Sequence, residues 1–181
     1  MTKNTKAELR EQMRRQLQSA AVRAHSAAVW ERLAVLDEFK VAQCISAYVS
    51  TGNEIDTHGL IRQLLALGRR VCVPAFAGEY VPGEIHDFDA DLVEGKFGIL
   101  EPKSVIPAQP DVWLVPGLAF DVKGNRLGRG GGFFDALLRK ARGAKVALAH
   151  DFQLLNEVPA EAHDVRVDFI VTESRVVNCK G

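Results

Sequence analysis

Cysteine is scarce in this chain. Cys44, Cys72 and Cys179 are the three in 181 residues, far apart and with no C-x-x-C pair. An odd, dispersed set excludes a disulfide framework and argues against a thiolate zinc site. Cys44 and Cys72 sit inside apolar runs, where cysteine behaves as a small core residue rather than a nucleophile. The five histidines show no metal-ligand spacing such as H-x-x-x-H. No apolar stretch approaches the roughly 18 residues that suggest a membrane span. The opening MTKNTKAELREQMRRQL lacks the apolar core of a secretory signal. Neither sign of charge is in excess: Lys and Arg number 23, Asp and Glu number 23, and the net charge is zero. A chain without excess positive charge is not a uniformly basic binder of nucleic acid or membrane surface. The expectation is a reduced, cytoplasmic protein with small-molecule partners, and a monomer is favoured.

What is present is an ordinary globular composition, 47% apolar and 25% charged. At this length one domain spanning residues 1–181 is expected, large enough for a three-layer core. Thr5 and Glu8 have the spacing of a capping box. Leu9, Met13 and Leu17 recur every four residues as an apolar stripe. A second helix is expected over 22–36, with Val22, Val29, Leu33 and Leu36 inward. CISAYV at 44–49 reads as a buried strand, followed by the loop STGNEIDT, where Asp56 is placed to N-cap a helix over 58–67. Gly68 stops that helix. RVCVP at 70–74, a weaker EIHDF at 84–88, VWLV at 112–115, VALAH at 146–150 and FIVT at 169–172 complete the strands, with a helix over 133–142. Continuous apolar strands separated by helices predict an α/β protein, a three-layer α/β/α sandwich with a mostly parallel sheet.

Five of the 15 glycines fall within residues 124–132, in the run GNRLGRGGGFFD between a strand and a helix. In an open α/β sheet, ligands bind beyond the carboxyl ends of the strands. Glycines let backbone N–H groups approach a phosphate, and the following helix start adds partial positive charge. Arg126 and Arg129 add guanidinium groups that suit phosphate oxygens. The Rossmann pattern fails because Phe133 stands where its last glycine would be, and a Walker A loop would need a lysine that is absent. A linker or tight turn is the plainer alternative, but two arginines running into an amphipathic helix favour phosphate binding.

This run, with VPGLAFD at 115–121 before it, resembles the 5-formyltetrahydrofolate cyclo-ligase family. KAELR at 6–10, NEIDT at 53–57, FGILEP at 97–102 and VPAEAHDVRVDFIVTE at 158–173 resemble it in order, so the likeness covers nearly the whole chain. It implies a fold like that of the CoA transferases and ribose-phosphate isomerases. It also implies conversion of 5-formyltetrahydrofolate and ATP to 5,10-methenyltetrahydrofolate, ADP and phosphate, with Mg²⁺ as cofactor. Such a reaction asks for positioning and charge neutralisation more than for an acid–base pair.

By that resemblance Lys6, Arg10, Arg126, Leu127, Gly128, Arg129, Gly130, Gly131, Gly132, Phe133 and Phe134 contact ATP. Glu54, Arg129, Gly130, Gly131, Gly132 and Phe133 contact the folate, and Arg129 and Phe133 stand at the reacting groups. From spacing alone, Lys6, Arg10 and Arg14 would be a solvated helix face, and Arg14 stays undecided. Glu54 alone would be an exposed loop carboxylate. Asp135 lies in the first turn of a helix, where a carboxylate complements the dipole. Beside phosphates it would repel the ligand unless a cation stood between, which makes it a candidate Mg²⁺ ligand. Asp164 is either a turn-forming aspartate or the second acidic metal position. Phe133 and Phe134 depart from the family, which usually has tyrosine at this pair: a stacking surface is kept and the phenolic hydroxyls are lost.

Charge is unevenly spread. Residues 121–145 carry seven basic residues against Asp121 and Asp135, a net of +5, and residues 79–101 carry seven acidic residues against Lys96, a net of −6. The basic segment is expected to surround an anion site. Two other classes stay open at this level: a non-catalytic nucleotide- or phosphate-binding module, favoured by the Phe–Phe pair, and an ATP-independent isomerase or transferase suggested only by fold analogy.

Overall fold

The computed structural model describes residues 5–95 and 98–180; Met1–Asn4, Lys96, Phe97 of the FGILEP segment and Gly181 lie outside the described residues. The first helix, α1 (Lys6–Leu17), is capped as its sequence predicts: Thr5 Oγ1 accepts from the Glu8 amide and Glu8 accepts from the Thr5 amide. The second, α2 (Val22–Ala34), stops two residues short of expectation, and a separate short helix α3 (Asp37–Val41) follows. Strand β1 (Cys44–Ser46) is shorter than the CISAYV run, because only these residues pair on the ladder. Helix α4 (His58–Ala66) begins after Thr57, yet Asp56 does cap its first turn, accepting from the His58 and Gly59 amides.

Strand β2 (Arg70–Phe76) turns back into β3 (Tyr80–Ile85). The expected strand at 84–88 is thereby corrected: it begins four residues earlier, at Tyr80, and stops at Ile85. Asp87 accepts from the Asp89 and Ala90 amides, and Asp91 from those of His86 and Asp87, which bends the chain into the short helix α5 (Phe88–Asp91). A hairpin of β4 (Leu92–Glu94) and β5 (Leu100–Pro102) follows, then β6 (Val112–Val115), β7 (Ala119–Asp121) and β8 (Arg126–Leu127). Helix α6 (Phe133–Arg139) is seven residues long, not ten. The chain ends through β9 (Ala144–Leu148), β10 (Leu154–Leu155), β11 (Phe169–Val171) and β12 (Val176–Asn178).

The main sheet has the order β12-β11-β9-β6-β1-β2-β3. Its five central strands are parallel, and β3 and β12 run antiparallel at the edges. Period-two burial divides its residues between two cores. Val112, Leu114, Val146, Leu148, Phe169 and Val171 face α2, α3 and α4, while Trp113, Val115, Ala147 and Ile170 face α6. The expected covered, mostly parallel sheet is therefore what the chain forms. Helix α1 belongs to neither core. Its stripe Leu9, Met13 and Leu17 packs on Leu118, Ala119, Leu127 and Val158, over the small sheet β10-β7-β8.

Candidate active site

Chain order reverses between β1 and β6. From β1 the chain moves outward to β2, and from β6 it moves the opposite way to β9 and β11, so the carboxyl ends of β1 and β6 part to form a crevice. A cleft of about 660 Å³ opens there, lined by Tyr48 and Val49 after β1 and by Pro116 and Gly117 after β6. That volume lies within the roughly 300–1,000 Å³ of small-molecule sites. All fourteen residues singled out in the sequence line it: Lys6, Arg10, Glu54, Arg126, Leu127, Gly128, Arg129, Gly130, Gly131, Gly132, Phe133, Phe134, Asp135 and Asp164.

The glycine loop joins β8 to α6. Gly130 and Gly132 take the left-handed conformation, with φ of 106° and 69°, which favours glycine. A Cβ on Gly131 would stand 2.6 Å from the Phe133 ring. Helix α1 holds the loop by its carbonyls: Arg10 Nε donates to Gly128 O at 3.0 Å and Arg14 Nη2 to Arg129 O at 3.2 Å. Arg14, undecided in the sequence, therefore touches the loop's backbone.

Lys6, Arg126 and Arg129 each have a carboxylate partner. Arg126 Nη2 donates to Asp135 Oδ1 at 2.9 Å and Nη1 to Pro116 O at 3.2 Å, with the side chain only 4% exposed. Among the described residues, Arg126 Nε is the one buried side-chain polar atom with no hydrogen-bond partner. Arg129 pairs with Glu54 at 2.9 Å, and Glu54 is fixed from the other side by the Thr51 amide and hydroxyl. Lys6 lies 2.9 Å from both Asp164 and Glu161. Burial works against the Lys6 charge, but those two carboxylates hold its pKa above the ordinary value. Burial would likewise raise Asp164, and the contacts from Lys6 and the Glu161 amide outweigh it, holding its carboxyl below the usual range.

This corrects the expectation of a net positive pocket. Lys6, Arg10, Arg126 and Arg129 face Glu54, Glu101, Asp135, Glu161 and Asp164 around the cleft. Of the basic segment, Lys140 instead pairs with Glu79, and Lys145 lies 4.0 Å from Asp168. Charge counted along a segment is not charge around a site, because α6 and β9 carry part of that segment away from the cleft. Helix α6 is also too short to supply the dipole expected of a longer helix, so the groups here that could receive an anion are the cationic side chains and the loop amides.

Sequence reasoning missed part of the wall. Tyr80 on β3 packs on Phe133 with ring centroids 4.9 Å apart. Tyr48 is fully buried and donates to Ile55 O at 2.9 Å; burial, with Glu54 and Asp56 nearby, pushes its phenol well up. Ile99, Leu100 and Glu101 of the β4–β5 hairpin, and Glu161 and His163, also line the cleft. Ile99, Leu100 and Glu101 lie in the FGILEP segment, and Glu161 and His163 in the segment 158–173, both of which carry the resemblance, whereas Tyr48 and Tyr80 are single aromatics with no motif around them.

Comparison with known proteins places the arrangement. The profile of the 5-formyltetrahydrofolate cyclo-ligase family matches residues 2–173. The 5-formyltetrahydrofolate cyclo-ligase of Mycolicibacterium smegmatis is 38% identical over 150 residues, 72% of this chain and 74% of that protein. That of Escherichia coli strain K12 is 36% identical over 148 residues, 75% and 81%. The NMR structure of Aquifex aeolicus 5,10-methenyltetrahydrofolate synthetase superimposes with a TM-score of 0.87 at 32% identity, covering 97% of this chain and 93% of that one. With the family profile spanning nearly its full length and these relatives sharing its sequence and fold, this chain belongs to the 5-formyltetrahydrofolate cyclo-ligase family.

Proposed function

We propose that this chain is an ATP-dependent ligase that closes 5-formyltetrahydrofolate to 5,10-methenyltetrahydrofolate, releasing ADP and phosphate. The observation that carries the reading is the convergence of the glycine loop, the buried Arg126, and Lys6 and Arg10 of α1 on one cleft that also holds Glu54 and the Phe133–Tyr80 face. The formyl oxygen attacks the γ-phosphorus, and ADP leaves. N10 then adds to the activated formyl carbon and gives up its proton as phosphate departs. No step needs a strong protein acid, so the residues work by position and charge.

Arg126, Arg129, Lys6 and Arg10, with Leu127 and the amides of residues 128–132, bind the phosphates. Glu54 is held by Thr51 in a fixed orientation and accepts from pterin N–H groups. Phe133 and Phe134 offer flat apolar surface to a ring. They carry no hydroxyl, so orientation by phenol is absent from this pair, and Tyr80 is the phenol packed against it.

The donor set suits Mg²⁺. Four cations facing five carboxylates cannot receive a bare triphosphate, and carboxylate oxygens are the hard donors this ion takes beside phosphates. Asp135 and Asp164 would hold it. When bound, the ion neutralises phosphate charge. Arg126 and Lys6, already paired to those carboxylates, hold them in place.

The test is to mix the purified protein with 5-formyltetrahydrofolate, ATP and Mg²⁺ and follow the absorbance of the methenyl product. Product that requires ATP is expected. No product, or equal product without ATP, refutes the reading. The Phe133–Phe134 pair favours one alternative, a nucleotide-binding module without turnover, which would bind ATP in a titration calorimeter and release no ADP when folate is added.

A further inference from the structure

Away from the cleft, three donors meet that no step of the folate reaction uses. His25 lies in the first turns of α2, His150 two residues beyond β9, and Glu173 two residues beyond β11. The parallel register pairs Leu148 with Val171, which sets His150 and Glu173 side by side at the carboxyl ends of adjacent strands. His25 Nδ1 is 2.8 Å from His150 Nδ1 and 3.4 Å from Glu173 Oε1. One ligand atom from each residue lies within 4.8 Å of the others.

The outer contacts orient these atoms inward. His150 Nε2 is 3.0 Å from Asn53 O. A carbonyl can only accept, so Nε2 carries the proton and a neutral His150 presents its lone pair at Nδ1. Glu173 Oε2 is taken by the Asp151 amide at 2.9 Å, which leaves Oε1 as the oxygen turned toward His25. A ligating histidine whose other nitrogen donates to a carbonyl, and a carboxylate tied by its second oxygen, are the outer contacts that metal sites use. His150 also stacks on Phe152, with ring planes 5° apart, which fixes the imidazole plane.

We propose that His25 Nδ1, His150 Nδ1 and Glu173 Oε1 form a site for one transition-metal ion of the Zn²⁺ class, with a fourth position open to solvent. Two imidazoles and one carboxylate suit zinc and its neighbours rather than Mg²⁺, which takes oxygen. Donors about 2.0–2.1 Å from a tetrahedral centre lie about 3.3 Å apart. The His25–His150 separation therefore opens by a few tenths of an ångström on binding, within reach of a small rotation of the partly exposed His25. Without metal, the close Nδ1–Nδ1 contact holds the two rings together. With metal, α2 is clamped to the sheet and, through His150, to the Asn53 carbonyl beside Glu54. None of the three residues lines the cleft, so the ion takes no part in the folate reaction.

The experiment titrates the metal-free, full-length protein with Co²⁺ and Zn²⁺, with Mg²⁺ as control. One Co²⁺ per chain, with visible ligand-field bands and without a thiolate charge-transfer band, is expected. Zn²⁺ should displace it and Mg²⁺ should not, and Zn²⁺ should raise the unfolding temperature by mass action. His25→Gln and Glu173→Gln, both at partly exposed positions, should each weaken binding by at least about 10–100-fold while leaving folate cyclisation unchanged. His150→Phe repeats the test at the buried ligand. Absence of stoichiometric binding overturns the proposal. So does a thiolate band, or undiminished affinity in both glutamine variants. The readout is independent of folate turnover, so failure here and failure of the ligase reading are separate results.

Discussion

Replacing Asp135 by Asn separates two roles that meet at one carboxylate. Asp135 is the charge partner of Arg126, whose side chain is 4% exposed, and it is also a proposed Mg²⁺ contact. Removing one member of a buried pair costs about 3–5 kcal/mol, because the other charge is left uncompensated. Two features reduce that figure. Asn keeps an acceptor for Nη2, and Asp135 is itself 22% exposed, so water screens part of the charge. The expected loss is about 2 kcal/mol, which at an m-value of about 2–3 kcal/mol per molar lowers the urea midpoint by about 0.7–1 M. Equilibrium unfolding of Asp135→Asn beside the parent protein measures it. Arg126→Met combined with Asp135→Leu should recover most of the loss, since an apolar pair of similar volume leaves no orphan charge. An unchanged midpoint in Asp135→Asn would refute the argument that this ion pair supports the buried guanidinium. If stability falls as expected, a raised Mg²⁺ requirement for turnover reports the second role independently.

Three further outcomes are expected. Glu54→Gln removes the Arg129 partner and the proposed anionic acceptor for the folate, so the folate KM should rise about tenfold, the worth of one charge-assisted hydrogen bond, with the unfolding temperature unchanged. Gly124→Ala should lower the melting temperature by about 6–12 °C, from a loss of about 3 kcal/mol: Gly124 has φ of 79°, and a Cβ there would stand 2.3 Å from Val167 O. The Lys6–Asp164 contact predicts a pH dependence with a definite sign. Asp164 is held below its ordinary 3.8, so its contribution is present above that pH and lost as pH falls through the folded value. Lys6 is held above 10.5, so its contribution is complete below that pH and lost as pH rises through the folded value. The stability gap between the parent and Asp164→Asn, read by urea midpoints, should thus be present at neutral pH and close in acid.

The parts of this protein legible in its sequence are those with a period or a punctuating residue. The Thr5–Glu8 box, the Leu9–Met13–Leu17 stripe and the apolar runs of β2, β6, β9 and β11 state their conformation locally. Strands of two or three residues such as β7, β8 and β10 carry no period, and their pairing depends on chain far away. The Phe88 turn shows local hydrogen bonding by Asp87 and Asp91 overriding an alternating pattern. The cleft was legible because its glycines and arginines are contiguous. Its charge balance was not, because Glu54, Glu161 and Asp164 reach Arg129 and Lys6 only through the fold. His25 and His150 are likewise brought together across 125 positions, so no spacing rule could have joined them.

The grip of α1 on two loop carbonyls reaches further than the contacts themselves. In a trans peptide the C=O and the following N–H point in opposite directions. With Gly128 O drawn to Arg10 and Arg129 O to Arg14, the amides of Arg129 and Gly130 are turned away from the helix. The direction of two potential phosphate donors is thus written in a helix more than a hundred residues earlier in the chain. If the loop binds nucleotide as proposed, a change at Arg14 would register in nucleotide affinity as a defect of the glycine loop, although every glycine was intact.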